Sequence, residues 1–186
     1  MAERQNHGFK YQDIIYERYP DIDHSGLGYT DEWDGMLHGI PVSIKSESVG
    51  SDVEMADFFR NANKKTGFFM FVGFHDSNYN YVEEYVLYIP INYWRSLFCQ
   101  NLMPYFKRLL QNITNDYADD QRWRKGCNLL RSYWQKYTNN IIRPRFKRDH
   151  KDQKRMQCAI NNGDFHKHFL KFGVELDAKG NQVIGA

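Results

Sequence analysis

The run Gly67-Phe68-Phe69-Met70-Phe71-Val72-Gly73-Phe74 constrains the fold more than any other stretch of this 186-residue chain. It is apolar at nearly every position, so a strand built from it has no polar face to turn to water and reads as the centre of a sheet covered on both sides. The flanking segments supply the covering layers. Phe9 to Tyr19 carries apolar residues at helical spacing and stops at Pro20. Asp21 to Tyr29 is a Gly/Asp/Ser-rich loop. Residues 31–38 and 40–47 read as short strands separated by Gly39, with Pro41 at a strand start where its missing N–H is tolerated. Ser51 or Asp52 can cap a helix over 52–64 with Glu54 in its first turn, where the helix dipole favours an anion. A further strand spans Tyr81 to Ile89, and Pro90 opens a helix running to Phe98. Helical segments from Pro104 and over Asp116 to Tyr137, β character at Ile141–Phe146 and Met156–Ile160, and a last helix near 161–171 complete the order. The sum is one α/β domain over residues 1–186 with a helical, basic C-terminal part and no repeat or linker.

A chain of this length can bury about 70 % of its unfolded surface, and its 41 % apolar and 16 % aromatic content reads as globular rather than disordered. Cys99, Cys127 and Cys158 lie far apart without CxxC or CxxH pairing, which gives neither a zinc pattern nor an even disulfide framework and fits reduced thiols in a cytoplasmic protein. The N-terminus has no apolar targeting core, and no run approaches the ~18 apolar residues of a membrane span. The net charge of +2 conceals an asymmetry. Residues 1–90 hold 7 Lys/Arg against 15 Asp/Glu, a balance of −8, whereas residues 121–171 hold 14 Lys/Arg against 3 Asp, a balance of +11. The first part suits the collection of a metal and the second suits a polyanion.

Asp34 and Lys45 carry a specific chemistry. Residues two apart in a strand share a face, so Ser43, Lys45 and Glu47 point one way and Val42, Ile44 and Ser46 the other. If Asp34 ends the neighbouring strand, its carboxylate and the Lys45 ammonium converge at a sheet edge, where they can reach one scissile phosphate. Magnesium suits such a site because it takes only one or two carboxylates and fills its other positions with water and phosphate oxygens. The metal would lower the pKa of a bound water and stabilise charge on phosphorus, while Lys45 orients the nucleophile or neutralises charge. Hydrolysis then needs no covalent intermediate.

This pattern resembles the PD-(D/E)XK nuclease superfamily, in which an acid on one strand is followed by acid-x-lysine on the next. Asp34 matches the first acid and Lys45 the lysine, while Ser43 stands where the second acid belongs. The resemblance implies that a following helix supplies the missing carboxylate, with Glu54 best placed and Glu47 and Asp57 as competitors. Glu17 resembles the accessory helix acid of many members. Met55 to Arg60, Phe69 to Phe74 and Pro144 to Ile160 extend the similarity to the small cleavage subunits of heterodimeric type IIS restriction endonucleases, over roughly residues 8–170. That family implies a restriction-endonuclease-like mixed β-sheet flanked by helices, Mg2+ as cofactor, double-stranded DNA as substrate, and a larger sequence-recognising nuclease subunit as partner. A chain without a helix-turn-helix or zinc finger fits such a division of labour.

Other candidates read differently. Arg143, Arg145, Lys147, Arg148, Lys151, Lys154 and Arg155 form a cluster suited to the DNA backbone, positioning the duplex without reading bases. The same cluster, with Trp123, Tyr133 and Trp134 nearby, could instead dock a protein. Glu17 could pair with Arg18 or Lys10, and Glu54 could be only a helix N-terminal acid. His75 and Asp76 read as loop residues because no serine or cysteine is placed to be activated. His166 and His168 read as surface residues without a neighbouring carboxylate. From another class, the chain could be a non-catalytic nucleic-acid-binding module that lost its second acid at Ser43.

Overall fold

The computed structural model describes residues 3–28, 32–116, 120–149 and 153–183. The expected α/β character is present, with two sheets and, among the described residues, six α-helices. The chain is built from two compact units. One comprises Met1–Val53, Lys65–Asn92 and Asn162–Ala186, and the other Glu54–Lys64 and Tyr93–Asn161.

The first unit holds α1 (Glu3–Arg18), β1 (Ile22–Asp23), β2 (Gly35–Leu37), β3 (Ile40–Ser48), β5 (Phe68–His75), β6 (Tyr81–Ile89) and α6 (Asn162–His168). Its strands form one mixed sheet in the order β1-β2-β3-β5-β6. β3 and β5 run parallel and the other pairs are antiparallel. The apolar run behaves as its composition demands, since β5 is buried at every position. Tyr11 and Ile15 of α1 and Tyr19, one residue past its end, stand four residues apart on one stripe, and they join Val42, Ile44, Phe69 and Phe71 in a single core. On β5, Phe74 contacts Phe165 of α6 at 5.7 Å between ring centroids.

Gly73 permits the tightest packing in this unit. A Cβ there would stand 2.5 Å from Cζ of Tyr11 and 2.8 Å from Cδ1 of Tyr81, and these two rings already lie 4.4 Å apart between centroids. Gly73→Ala should therefore destabilise the protein by about 1–3 kcal/mol, the cost of overpacking a filled core. A chemical denaturation midpoint unchanged from wild type would show that the rings can yield.

The second unit holds most of β4 (Val53–Asp57) together with α2 (Phe58–Ala62), α3 (Ile91–Ser96, in part), α4 (Met103–Asp116), α5 (Asp120–Tyr137), β7 (Ile142–Asp149) and β8 (Gln153–Ile160). Its sheet has the order β4-β8-β7. The helix expected over 52–64 is a correction. Val53 and Met55 turn inward while Glu54 is only half-buried, so the period-2 alternation of a strand prevails over the cap signals at Ser51 and Asp52. Ala56, inside β4, takes the left-handed φ of 61°, and the extended backbone runs on to Asp57. Asp57 then caps the short α2, its carboxylate accepting the Arg60 N–H at 2.7 Å. Phe58, Phe98, Phe106 and Trp134 form an aromatic core with centroids 5.0–5.6 Å apart for Phe58–Trp134, Phe58–Phe98 and Phe106–Trp134. The indole N–H of Trp94 donates to the Asn61 carbonyl at 2.8 Å and that of Trp134 to the Ile142 carbonyl, which satisfies both buried polar tips. No helix among the described residues is long and apolar enough to cross a membrane.

Candidate active site

Asp34 and Lys45 come together at the edge of β3. β2 is short and pairs only with residues 40–42 of β3. Asp34, one residue before β2, donates its N–H to the Val42 carbonyl at 2.9 Å. Its carboxylate Oδ2 then accepts the Ile44 N–H at 2.7 Å. The side chain thus replaces the next ladder acceptor that β2 does not supply, and an edge amide is satisfied without further strand. Lys45 Nζ lies 3.4 Å from the same oxygen and donates to the Ile44 carbonyl at 3.0 Å. The pair is largely enclosed, with 18 % and 24 % of the Lys45 and Asp34 side chains exposed.

α1 braces this edge. Gln12 Nε2 donates to Asp34 Oδ1 at 2.9 Å. Tyr16 donates its hydroxyl to the Asp34 carbonyl at 2.6 Å. Burial, then the Asp34 carboxylate, pushes the Tyr16 phenol up to about 12, so it stays a neutral donor. Gln12 and Tyr16 are four residues apart and share a helix face. They are site residues that sequence reading missed, although that spacing, one turn before Glu17, was the available signal. Glu17 itself is exposed.

The remaining candidates divide by unit. Ser43 is 5 % exposed, at the position where the resemblance to PD-(D/E)XK nucleases leads one to expect an acid. Glu47 is half-buried on the same face of β3 as Lys45, two residues on, in a stretch paired to β5 without register shift. Glu54 does not open a helix; it lies on β4 in the second unit, and Arg145 Nη1 holds its Oε1 at 2.6 Å. Asp57 is occupied as the cap of α2.

Of the basic cluster, Arg143, Arg145, Lys147 and Arg148 lie on β7 and Lys154 and Arg155 on β8, while Lys151 falls outside the described residues. The hairpin register sets position 147 opposite Arg155 and position 148 opposite Lys154. His75 is a correction: it ends β5 and is buried, with its Nδ1 facing the Asp76 carbonyl at 2.9 Å, whereas the Asp76 carboxylate accepts the Asn78 and Asn80 amides, the loop role expected of it. His166 is a correction. Its Nε2 stands 3.3 Å from Glu83 Oε2, so a carboxylate from β6 does reach it. Comparison with protein-family models, with curated proteins and with solved structures finds no match.

The donor set can be tested against magnesium. Among the described residues no three His, Cys, Asp or Glu side chains gather as a metal-binding group. Magnesium asks for less, one or two carboxylates with water and phosphate oxygens completing the shell. A carboxylate offers about four acceptor sites, and the three hydrogen bonds to Asp34 leave room on Oδ1. Asp34 can therefore offer one carboxylate to a magnesium ion held largely through water and substrate, and Glu47 is the acid two residues from Lys45 on the same face of β3.

Proposed function

We propose that this chain is a magnesium-dependent DNA endonuclease of the PD-(D/E)XK kind, acting as the cleavage subunit beside a larger, sequence-recognising nuclease subunit in the cytoplasm. The observation that carries this reading is the meeting of Asp34 Oδ2 and Lys45 Nζ, 3.4 Å apart at an open strand edge. Asp34 and Glu47 would hold the metal, whose chemistry is to acidify a bound water and to neutralise charge at phosphorus. Gln12 and the Ile44 amide fix the Asp34 carboxylate in one orientation while Tyr16 holds its backbone carbonyl, which lowers the cost of ordering it around a substrate. Lys45 presents a fixed positive charge where the scissile phosphate would approach, worth more in this half-enclosed setting than in water. The concentration of Lys and Arg along the β7 and β8 sequences supports a polyanionic substrate.

The test is nicking of a supercoiled plasmid by the purified chain in magnesium and in EDTA, with and without the product of the neighbouring gene. The expected result is magnesium-dependent cutting of one strand, strongest with the partner present. Glu47→Gln should lower the rate by about 10²-fold or more, the scale of a positioned electrostatic group. Glu54→Gln should leave the rate within a few-fold, because that carboxylate is engaged by Arg145. The opposite pattern would return the second metal carboxylate to Glu54. A second reading, a non-catalytic nucleic-acid-binding module, is favoured by the three donors already held on Asp34. DNA binding without cleavage under every condition of this assay would establish it.

A further inference from the structure

We propose that the concave face between α5 and β7 is a phosphate site for the DNA backbone, with Arg124 and Arg131 as its cations and Phe146 as the plate that orients Arg131. A cavity of about 370 Å³ opens there, lined by Arg124, Cys127, Asn128, Arg131 and Phe146. The four α5 residues recur at intervals of three, four and seven, so they share one helix face, with the two arginines about two turns apart. The guanidinium carbon of Arg131 stands 5.5 Å from the Phe146 ring centroid. Stacking on an aromatic plane holds the planar fork in place and leaves its edge N–H groups for a bidentate acceptor, the geometry a phosphate offers.

The rest of the lining suits an anion. Among the described residues it contains no carboxylate. Asn128 adds an exposed amide between the two arginines. Cys127, 4 % exposed, forms the apolar floor, and burial pushes its thiol up to about 12, so it brings no negative charge at neutral pH. The site lies next to the strand that carries Arg143 and Arg145, and would extend the phosphate-contacting surface onto α5.

This inference rests on the reading of the chain as a DNA-binding nuclease, and its test is independent of cleavage. Fluorescence anisotropy of a fluorescein-labelled duplex oligonucleotide is measured with the full chain in EDTA over a range of NaCl concentrations. Each phosphate neutralised contributes about 0.9 to the slope of log K against log salt. Arg124→Gln and Arg131→Gln should each lower that slope by about 0.9. Phe146→Leu should weaken binding several-fold with the slope retained, since the charge stays and its orientation is lost. Lys136→Gln, exposed on α5 outside this cavity, should match wild type, and circular dichroism checks that each variant is folded. If wild type binds and the arginine variants keep its slope, or Lys136→Gln loses as much as they do, this site is refuted and DNA binding stands. If wild type shows no salt-dependent binding, both fall. Absence of cleavage under every condition of the plasmid assay, partner included, would count against the nuclease reading and leave this site standing.

Discussion

Asp34→Ala is expected to abolish strand cleavage and, at the same time, to lower the unfolding free energy by about 2–4 kcal/mol. The second effect follows from what the carboxylate does besides any metal chemistry. It accepts from the Ile44 amide, Gln12 and Lys45, and truncation leaves an edge N–H and two side-chain donors without their acceptor. Each hydrogen bond to a charged group is worth roughly 1.5–3 kcal/mol, less where water can substitute. Its place in the β3 ladder makes Asp34 a structural group as well as a candidate ligand. Asp34→Asn separates the two roles. The amide oxygen can still accept the Ile44 N–H, so most of the stability should return while cleavage stays lost. Urea denaturation and plasmid nicking on both variants make the check, and full activity in Asp34→Asn would remove Asp34 from the chemistry.

Lys45→Met should reduce cleavage by about 10²- to 10³-fold with little change in stability. The substitution keeps the aliphatic stem along β3 and removes only the ammonium, which donates to Asp34 Oδ2 and to the Ile44 carbonyl. Loss of one preorganised charge at a developing phosphorane costs on this scale. Lys45→Arg should not restore the rate, because a planar fork cannot occupy the position of a compact ammonium 3.4 Å from the carboxylate. Single-turnover nicking rates at saturating protein isolate the chemical step from DNA binding. A Lys45→Met variant that is destabilised yet cuts at the wild-type rate would make the lysine a structural counter-ion to Asp34.

The parts of the fold legible in the sequence are those set by local pattern. β5 has no polar position to expose, β3 starts at Ile40 immediately before Pro41, and α3 follows Pro90, each within a residue or two of its expected bounds. The stretch from Ser51 to Lys64 misled because two local signals compete there. Helix-cap residues precede it, yet Val53 and Met55 are buried in alternation and Asp57 is the true cap. The convergence of Asp34 and Lys45 was readable from strand order, whereas the hydrogen bond from the Ile44 amide depends on where β2 stops, which no spacing rule gives. The contact of Glu54 with Arg145 and that of His166 with Glu83 join residues 91 and 83 positions apart. Pairings of that range are decided by the assembled sheets, and the sequence holds no local mark of them.

The chain enters the second unit twice, once between β3 and β5 and again between β6 and α6. The first visit contributes β4, and β8 lies between β4 and β7 in the sheet. A fragment spanning only residues 93–161 would therefore leave β8 with one bare edge, a template for pairing with other copies. Neither unit is separable by a single cut, so the part that carries Asp34 and Lys45 and the part that carries the basic hairpin cannot be exchanged as cassettes. Variation in either part has to arise by substitution or loop insertion within a chain whose two units are interleaved in sequence.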